Sequence, residues 1–380
     1  MEPFLTEKHR AVRRAVREFC RREIEPIAGE IDREARFPWE VADKMGALGY
    51  FGMQAPKDLG GSFMDSASYV IVVEEISRAC AGLGLCVTVH NSVNLYPIVR
   101  FGSEDQKRAF VPALARGEKI GAFCLTEPNA GSDASGIEAT AIADGGHYVV
   151  NANKVFVTNG AIADTCLIFA RTDPAAGRKG ISVIIAERGT PGFSSGERED
   201  LCGVRSNPVS SIRLVDCRIP QKNLLGKEGA GLAIGMVTLD TGRIGIAAQA
   251  VGIAQAALDD AILYAKQRRQ FDVPIGRHQG VAFMLADMAT EVDAARLLVL
   301  RAALLKDAGK NFTKAAAMAK LYASESASRV TDMAVQIHGG YGYSKAYSVE
   351  RHFRDARVTR LYEGTSEIHR LVIARSVLEE

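Results

Sequence analysis

The chain has 380 residues, 47% hydrophobic and 24% charged, the make-up of a globular protein of two or three domains with sizeable cores. Lys and Arg total 47 against 45 for Asp and Glu, and a net charge of +2 points to neither nucleic acid nor an acidic membrane as partner. The 7 cysteines stand singly, with no CxxC pair and no Cys/His spacing for a metal, and read as reduced, small apolar residues. No apolar run approaches the ~18 residues of a membrane span, so none is expected.

In chain order, Val12, Val16, Phe19, Cys20, Ile24 and Ile27 fall at helical spacing from Glu7 to Ile27. Glu7, Glu18, Glu23 and Glu25 among the arginines favour a surface helix over an organellar targeting peptide. Further helical stretches run over Ala42–Leu48, Ala67–Arg78 and Asp105–Ala115, making residues 1–118 a helical domain. Short β-rich runs follow at Ile120–Thr126, His147–Val150, Lys154–Thr158, Thr165–Arg171, Gly180–Glu187 and Val209–Val215, so residues 119–226 read as a central β domain. The period then returns to 3.6 near Leu232–Lys266, His278–Lys306 and Lys314–Ile337, which makes residues 227–380 a helix bundle. The apolar positions of the middle helix are wider than one neighbour requires, leaving open a subunit interface or a central place in its own bundle. The final residues hold no peroxisomal or retention tripeptide. A bacterial cytoplasm is the expected setting, with a matured mitochondrial matrix chain as the other.

Nucleotide loops of the usual kinds are missing. Gly229 to Gly235 is one residue off GxGxxG and lies in an all-helical block, and there is no P-loop. The chemistry concentrates instead at Leu361-Tyr362-Glu363-Gly364-Thr365-Ser366-Glu367-Ile368. There Glu363, between an aromatic and a glycine, is placed to take a proton from carbon, and Thr365 with Glu367 can open a helix. Phe123 to Asp133 runs from a strand into a polar turn with Leu125, Thr126 and Ser132, and Lys154 to Gly160 ends another strand with Phe156 and Thr158. Both offer hydroxyls and aromatic rings suited to a planar heterocycle. Arg268 in Arg268-Arg269-Gln270-Phe271, with Gln279 beyond, can clamp a pyrophosphate, and the glycines of Gln336-Ile337-His338-Gly339-Gly340 admit close approach of a backbone.

These five motifs, in this order, resemble the flavin-dependent acyl-CoA dehydrogenase family from about Leu5 to Leu378, and Arg205 to Ser210 and Lys222 to Gly226 add to the likeness. The resemblance implies an α+β fold: an N-terminal helical domain, a central β-barrel-like domain and a C-terminal four-helix bundle, as a homotetramer with FAD. It implies Glu363 as the base, with Phe123, Leu125, Thr126, Ser132, Phe156 and Thr158 walling the flavin. Arg268, Phe271, Gln279, Gln336, Ile337, Gly339, Gly340, Thr365 and Glu367 would hold the rest of FAD, some from a neighbouring subunit. Ser132, Asp240, Arg243, Tyr362 and Gly364 would meet the acyl-CoA, with Arg243 near the CoA nucleotide. An electron-transferring flavoprotein is the implied acceptor.

Within the family, isovaleryl-CoA enzymes carry the base where this chain has Gly242. Glutaryl-CoA enzymes need a cation near residues 80–95, where this chain has no Arg or Lys. The likeness is closest to short-chain, butyryl-CoA-type members. Asp272 replaces the usual glycine after Phe271, which puts that turn's geometry in question. His90 and Asn91 stand where the N-terminal domain can meet the acyl tail, leaving polar or cyclic acyl groups open beside a plain buried role. An acyl-CoA oxidase would be a longer chain. A catalytically silent flavoprotein serving as an assembly subunit is the rival from another class.

Overall fold

Short polar side chains decide where the helices begin. Thr6 and Ser103 close capping boxes at the starts of α1 (Glu7–Phe19) and α7 (Glu104–Ala115), and Asp65 caps α4 (Ser66–Ala79). The structure, a computed structural model, describes residues 5–379. Met1 to Phe4 and Glu380, the outer ends of the first and third expected domains, lie outside the described residues. Between these helices lie α2 (Ala28–Arg33), α3 (Trp39–Ala47), α5 (Ala81–Val89) and α6 (Tyr96–Phe101). α4 is buried on every side apart from Arg78, and its two buried acids are paired, Glu75 with Arg17 at 2.6 Å and Glu74 with Arg296 at 3.0 Å. It packs on α8 (Gly231–Gln267), so the N-terminal helices and the C-terminal bundle share one core. Each fully buried aliphatic there, such as Ile76 or Leu83, contributes roughly 1.5–3 kcal/mol by leaving water.

The central domain is a mixed sheet ordered β6-β7-β3-β2-β4-β5-β8, with β1 (Gly121–Cys124) paired parallel to β4. Its strands are β2 (Thr140–Asp144), β3 (His147–Val157), β4 (Thr165–Arg171), β5 (Ile181–Glu187), β6 (Phe193–Arg198), β7 (Ser210–Pro220) and β8 (Leu224–Leu225). The expected runs 147–150 and 154–158 are one strand, β3, because Asn151 and Asn153 face solvent while Ala152 and Lys154 face inward. β2, β6 and the two-residue β8 match none of the runs expected from the sequence. A two-stranded hairpin, β9 (Arg269–Gln270) and β10 (Val273–Pro274), follows α8. Phe271 and Asp272 form its turn with φ of 51° and 63°, as a two-residue type I′ turn requires, and Asp tolerates this region better than most residues. Asp272 therefore keeps the turn that a glycine would make.

The bundle consists of α8, α9 (Gln279–Asp307) and α10 (Thr313–His338), with the shorter α11 (Val349–Val358) and α12 (Ser366–Leu378) packed against α10. By length and composition alone α8 is apolar enough to cross a membrane, but 72% of its most apolar window is buried inside the protein, as in a core helix. α9 buries Met288, Val292, Ala295 and Val299 and leaves Phe283 and Leu297 exposed. The Arg354-Asp355 pair locks α11 to the other domains: Arg354 binds Asp32 and Glu350 at 2.7 Å and the Cys202 carbonyl at 3.0 Å, and Asp355 accepts from the Val204 amide at 2.5 Å. That anchor fixes the start of the turn carrying Glu363.

Candidate active site

Glu363 sits in the turn between α11 and α12, and its backbone is left-handed, with φ 50° followed by φ 101° at Gly364. An L-residue there costs about 1–2 kcal/mol, so the surroundings must impose the shape. They do so from four sides. Thr365 caps α12, the Ser366 amide donates to the Arg360 carbonyl at 3.1 Å, and Lys320 of α10 donates to the Gly364 carbonyl at 2.7 Å. The Tyr362 hydroxyl donates to Gln249 at 2.5 Å, and Gln249 donates in turn to the Ala81 carbonyl at 2.9 Å.

Both carboxylate oxygens of Glu363 are buried and have no hydrogen-bond partner. Burial penalises the charged form and raises the carboxyl to about 7, although the Lys320 and Arg243 charges pull the other way. The carboxylate fits only because residue 242 is glycine. A Cβ there would lie 1.9 Å from Glu363 Oε2 and 2.9 Å from the Val93 side chain.

Around Glu363 opens a cleft of about 210 Å³ between all three layers. Val89 and Val93 line it from the N-terminal helices, Met236, Leu239 and Arg243 from α8, and Tyr362, Gly364 and Ile368 from the Glu363 turn. The opposite wall is Phe123, Leu125, Thr126, Ser132, Phe156 and Thr158. A register shift between Lys154 and Val157 bends β3 and leaves Phe156 63% exposed at φ 53°, so the bulge re-aims an aromatic ring into the cleft. Beneath it Lys154, fully buried, binds Glu127 at 2.6 Å and the Leu125 carbonyl at 3.1 Å, tying the two wall segments together. Apolar ring faces with hydroxyls at the edges suit a flat heterocycle, and the orphaned carboxylate faces the same space.

Family models match the chain along its length: the acyl-CoA dehydrogenase N-terminal domain over residues 6–118, the middle domain over 122–217 and the C-terminal domain over 229–378. The short-chain specific acyl-CoA dehydrogenase of Clostridium acetobutylicum is 48% identical over 373 residues, 98% of each chain. The chain belongs to the acyl-CoA dehydrogenase family. Among solved structures, butyryl-CoA dehydrogenase from Megasphaera elsdenii superposes with TM-score 0.96 at 43% identity, covering 98% of this chain and 99% of that one. A chain in a structure described as the electron transferring flavoprotein of Acidaminococcus fermentans gives TM-score 0.98 at 45% identity, covering 99% of each. Acyl-CoA dehydrogenases are FAD-dependent oxidoreductases acting on acyl-CoA.

Against the residues expected of an acyl-CoA dehydrogenase, the wall segments, Arg243, Tyr362, Glu363 and Gly364 meet in one cleft. Arg268, Ile337, Gly339 and Gly340 line a separate cleft of about 610 Å³ with Tyr264, His338 and Tyr341, where Arg268 lies over the Tyr341 ring at 5.8 Å. Phe271, Gln279, Gln336 and Glu367 are exposed. Arg243 is not a free surface cation. It is buried and paired with Asp240 at 2.6 Å, and Asp240 also accepts from Thr313 at 2.6 Å.

His90 and Asn91 do not line the cleft. His90 donates to the Leu114 carbonyl and accepts from the Gly121 amide, while Asn91 donates to the Tyr50 and Val87 carbonyls, both at 2.9 Å. A wide turn at His90–Leu95 rotates them inward and leaves Val89 and Val93 at the cleft. The sequence did not mark the apolar lining residues Val89, Val93, Met236 and Leu239, nor Gln249, Lys320 and His369 around the Glu363 turn. Lys320 had a signal, because Ala316, Ala323 and Ala327 share its helix face and a lone lysine in such a stripe is buried.

Proposed function

We propose that this chain dehydrogenates a short-chain acyl-CoA to the trans-2-enoyl-CoA, with Glu363 removing the α-proton. The single observation that supports it most is the Glu363 carboxylate, buried, without a partner and raised to about 7, facing the cleft. A base for so weakly acidic a C–H works best near the operating pH, and desolvation brings the carboxylate there. As the proton leaves, enolate character grows on the thioester oxygen, and the Glu363 amide would be a donor to it. Tyr362, held by Gln249, excludes water from one side of the carboxylate.

The donor set fits FAD, which supplies the acceptor for the β-hydride when bound. Phe123, Leu125, Thr126, Ser132, Phe156 and Thr158 would hold its ring. Arg268, Ile337, Gly339 and Gly340, with Phe271, Gln279, Gln336, Thr365 and Glu367, would hold its phosphates and adenosine. The separation of the two clefts, with Phe271 88% exposed, supports a neighbouring subunit's second set completing each site, and the homotetramer that the family resemblance implies is the assembly proposed. Phe283 and Leu297 on α9 and Leu371 and Leu378 on α12, all exposed, supply apolar surface for it. Likeness to the C. acetobutylicum and M. elsdenii proteins supports the short acyl chain, and the apolar Val89 and Val93 give a dicarboxylic tail no counter-charge. Likeness to the A. fermentans structure supports an electron-transferring flavoprotein as acceptor.

The test is anaerobic bleaching of the purified flavoprotein by butyryl-, hexanoyl-, octanoyl-, isobutyryl-, isovaleryl-, glutaryl- and cyclohexanecarboxyl-CoA. Fast bleaching by butyryl-CoA, lowered on the order of 10²–10⁴-fold in Glu363→Gln, is expected. A colourless protein, or Glu363→Gln bleaching as fast as wild type, overturns the reading. A faster rate with another acyl group would reassign the substrate and keep the base.

A further inference from the structure

Behind Glu363 lies a buried lysine whose tie to the corner has been described but whose charge has been given no part in the reaction. Lys320 of α10 has no exposed surface, and its ammonium donates to the Gly364 carbonyl, the peptide oxygen directly after the base. Burying an ammonium costs several kcal/mol, and a single carbonyl partner offsets only part of that. A leucine or methionine would fill the same space at no electrostatic cost, so the charge itself calls for a use.

We propose that Lys320 is a positioning residue for the reaction: anchored on Gly364, it holds the left-handed Glu363–Gly364 corner and sets one buried positive charge behind the carboxylate that takes the α-proton. The corner needs such a tie, because Glu363 and Gly364 both have positive φ and neither Glu363 oxygen makes a hydrogen bond. Charge balance points the same way. The groups facing the pair are Arg243 from α8, already bound to Asp240, Tyr69 from α4 and Tyr362 beside Glu363, both kept neutral by burial, Glu325 on α10 itself, and Glu367 and His369 from α12. Glu325 lies 3.1 Å from Arg360, Glu367 is exposed, and burial keeps His369 neutral by lowering it to about 3. Lys320 and Arg243 are then the two cations whose fields reach Glu363, and Arg243 is offset by Asp240. Lys320 itself is lowered to about 7, chiefly by burial, with Glu363 opposing the fall. The two groups thus stabilise each other's charged forms across a gap that leaves the carboxylate open to substrate.

This inference rests on the assignment of Glu363 as base, and the experiment separates the two. Wild type, Glu363→Gln, Lys320→Gln and Lys320→Met are compared by anaerobic bleaching with butyryl-CoA between about pH 5.5 and pH 9. Wild type bleaching while Glu363→Gln does not secures the base, whatever the lysine variants do. Removing the lysine charge raises the affinity of Glu363 for its proton, so in Lys320→Gln and Lys320→Met the acid limb moves to higher pH by about one unit, and the rate at about pH 7 falls roughly fivefold. Lys320→Gln, which can still bond the Gly364 carbonyl, should keep a higher plateau rate at high pH than Lys320→Met. A folded, yellow Lys320→Gln with the wild-type acid limb overturns the role of the charge, and equal plateaus in the two variants overturn the anchor. If Lys320→Met does not fold, Glu363→Gln/Lys320→Met decides. Recovery of the fold once no unpaired carboxylate remains supports the coupling, and failure of the double variant as well assigns Lys320 to packing alone.

Discussion

Two buried Glu–Lys sets in this molecule have opposite designs. In the β domain Glu127 binds Lys154 at 2.6 Å and accepts the Glu138 and Ala139 amides at 2.6 and 3.1 Å, while Lys154 also holds the Leu125 carbonyl. Every strong group there has its partner, and the set works as a clamp beneath the cleft wall. In the bundle Glu363 and Lys320 lie in the same buried region without touching, the carboxylate oxygens have no partner, and each group is drawn to about 7. A satisfied buried pair rigidifies, whereas a pair kept apart stores proton affinity that a substrate can draw on.

The contrast can be broken most directly at the clamp. Lys154→Met leaves Glu127 buried with backbone donors alone and should cost about 3–5 kcal/mol in urea unfolding. Lys320→Met, whose partner is a neutral carbonyl, should cost clearly less, and an equal or larger loss would erase the distinction. Next in size is Gly242→Ala, whose Cβ would sit 1.9 Å from Glu363 Oε2 and must push the base aside. A displacement near 1 Å lowers bleaching by about 10²-fold, with FAD content kept. A variant that bleaches normally would mean the carboxylate has room to move and is not fixed by its surroundings.

The sequence made the long helices legible because α8, α9 and α10 repeat apolar residues at helical spacing. Their boundaries differ from the expected ones by a residue or so. Short strands were harder. β6 reads Phe-Ser-Ser-Gly-Glu-Arg and buries none of its residues, so no alternation marks it, and in β3 the outward Asn151 and Asn153 imitate a turn. Glu363 was legible because its neighbours supply the glycine, the cap and the aromatic. The shape of its site was not, because that depends on distant approaches: Lys320 reaching Gly364 across 44 positions, Gly242 making room, and a bulge turning Phe156 outward. For His90 and Asn91 the sequence left a place near the acyl tail open beside a plain buried role, and the wide turn at His90–Leu95 turns them inward to the buried one.

The smallest expected effects concern pH and salt, because both act on the unpaired carboxylate and leave the Glu127–Lys154 clamp alone. In the role proposed for it, Glu363 can take a proton only when ionised. With its carboxyl at about 7 in the free enzyme, kcat/KM should fall as pH drops through that value, roughly tenfold for each unit below it. An ordinary carboxylate would hold its rate down to near pH 4.5, the value from which Glu363 is raised, so an acid limb there would remove the desolvation argument. Salt separates a buried cause from a surface one. Surface charges more than about 10 Å apart are screened at about 0.1 M salt, whereas the Lys320 and Arg243 charges act on Glu363 from inside the protein. Raising salt from about 0.05 M to about 0.5 M should therefore move the limb by less than about 0.3 unit. A larger drift would show that exposed charges such as Glu367, and not the buried pair, govern the proton affinity of the base.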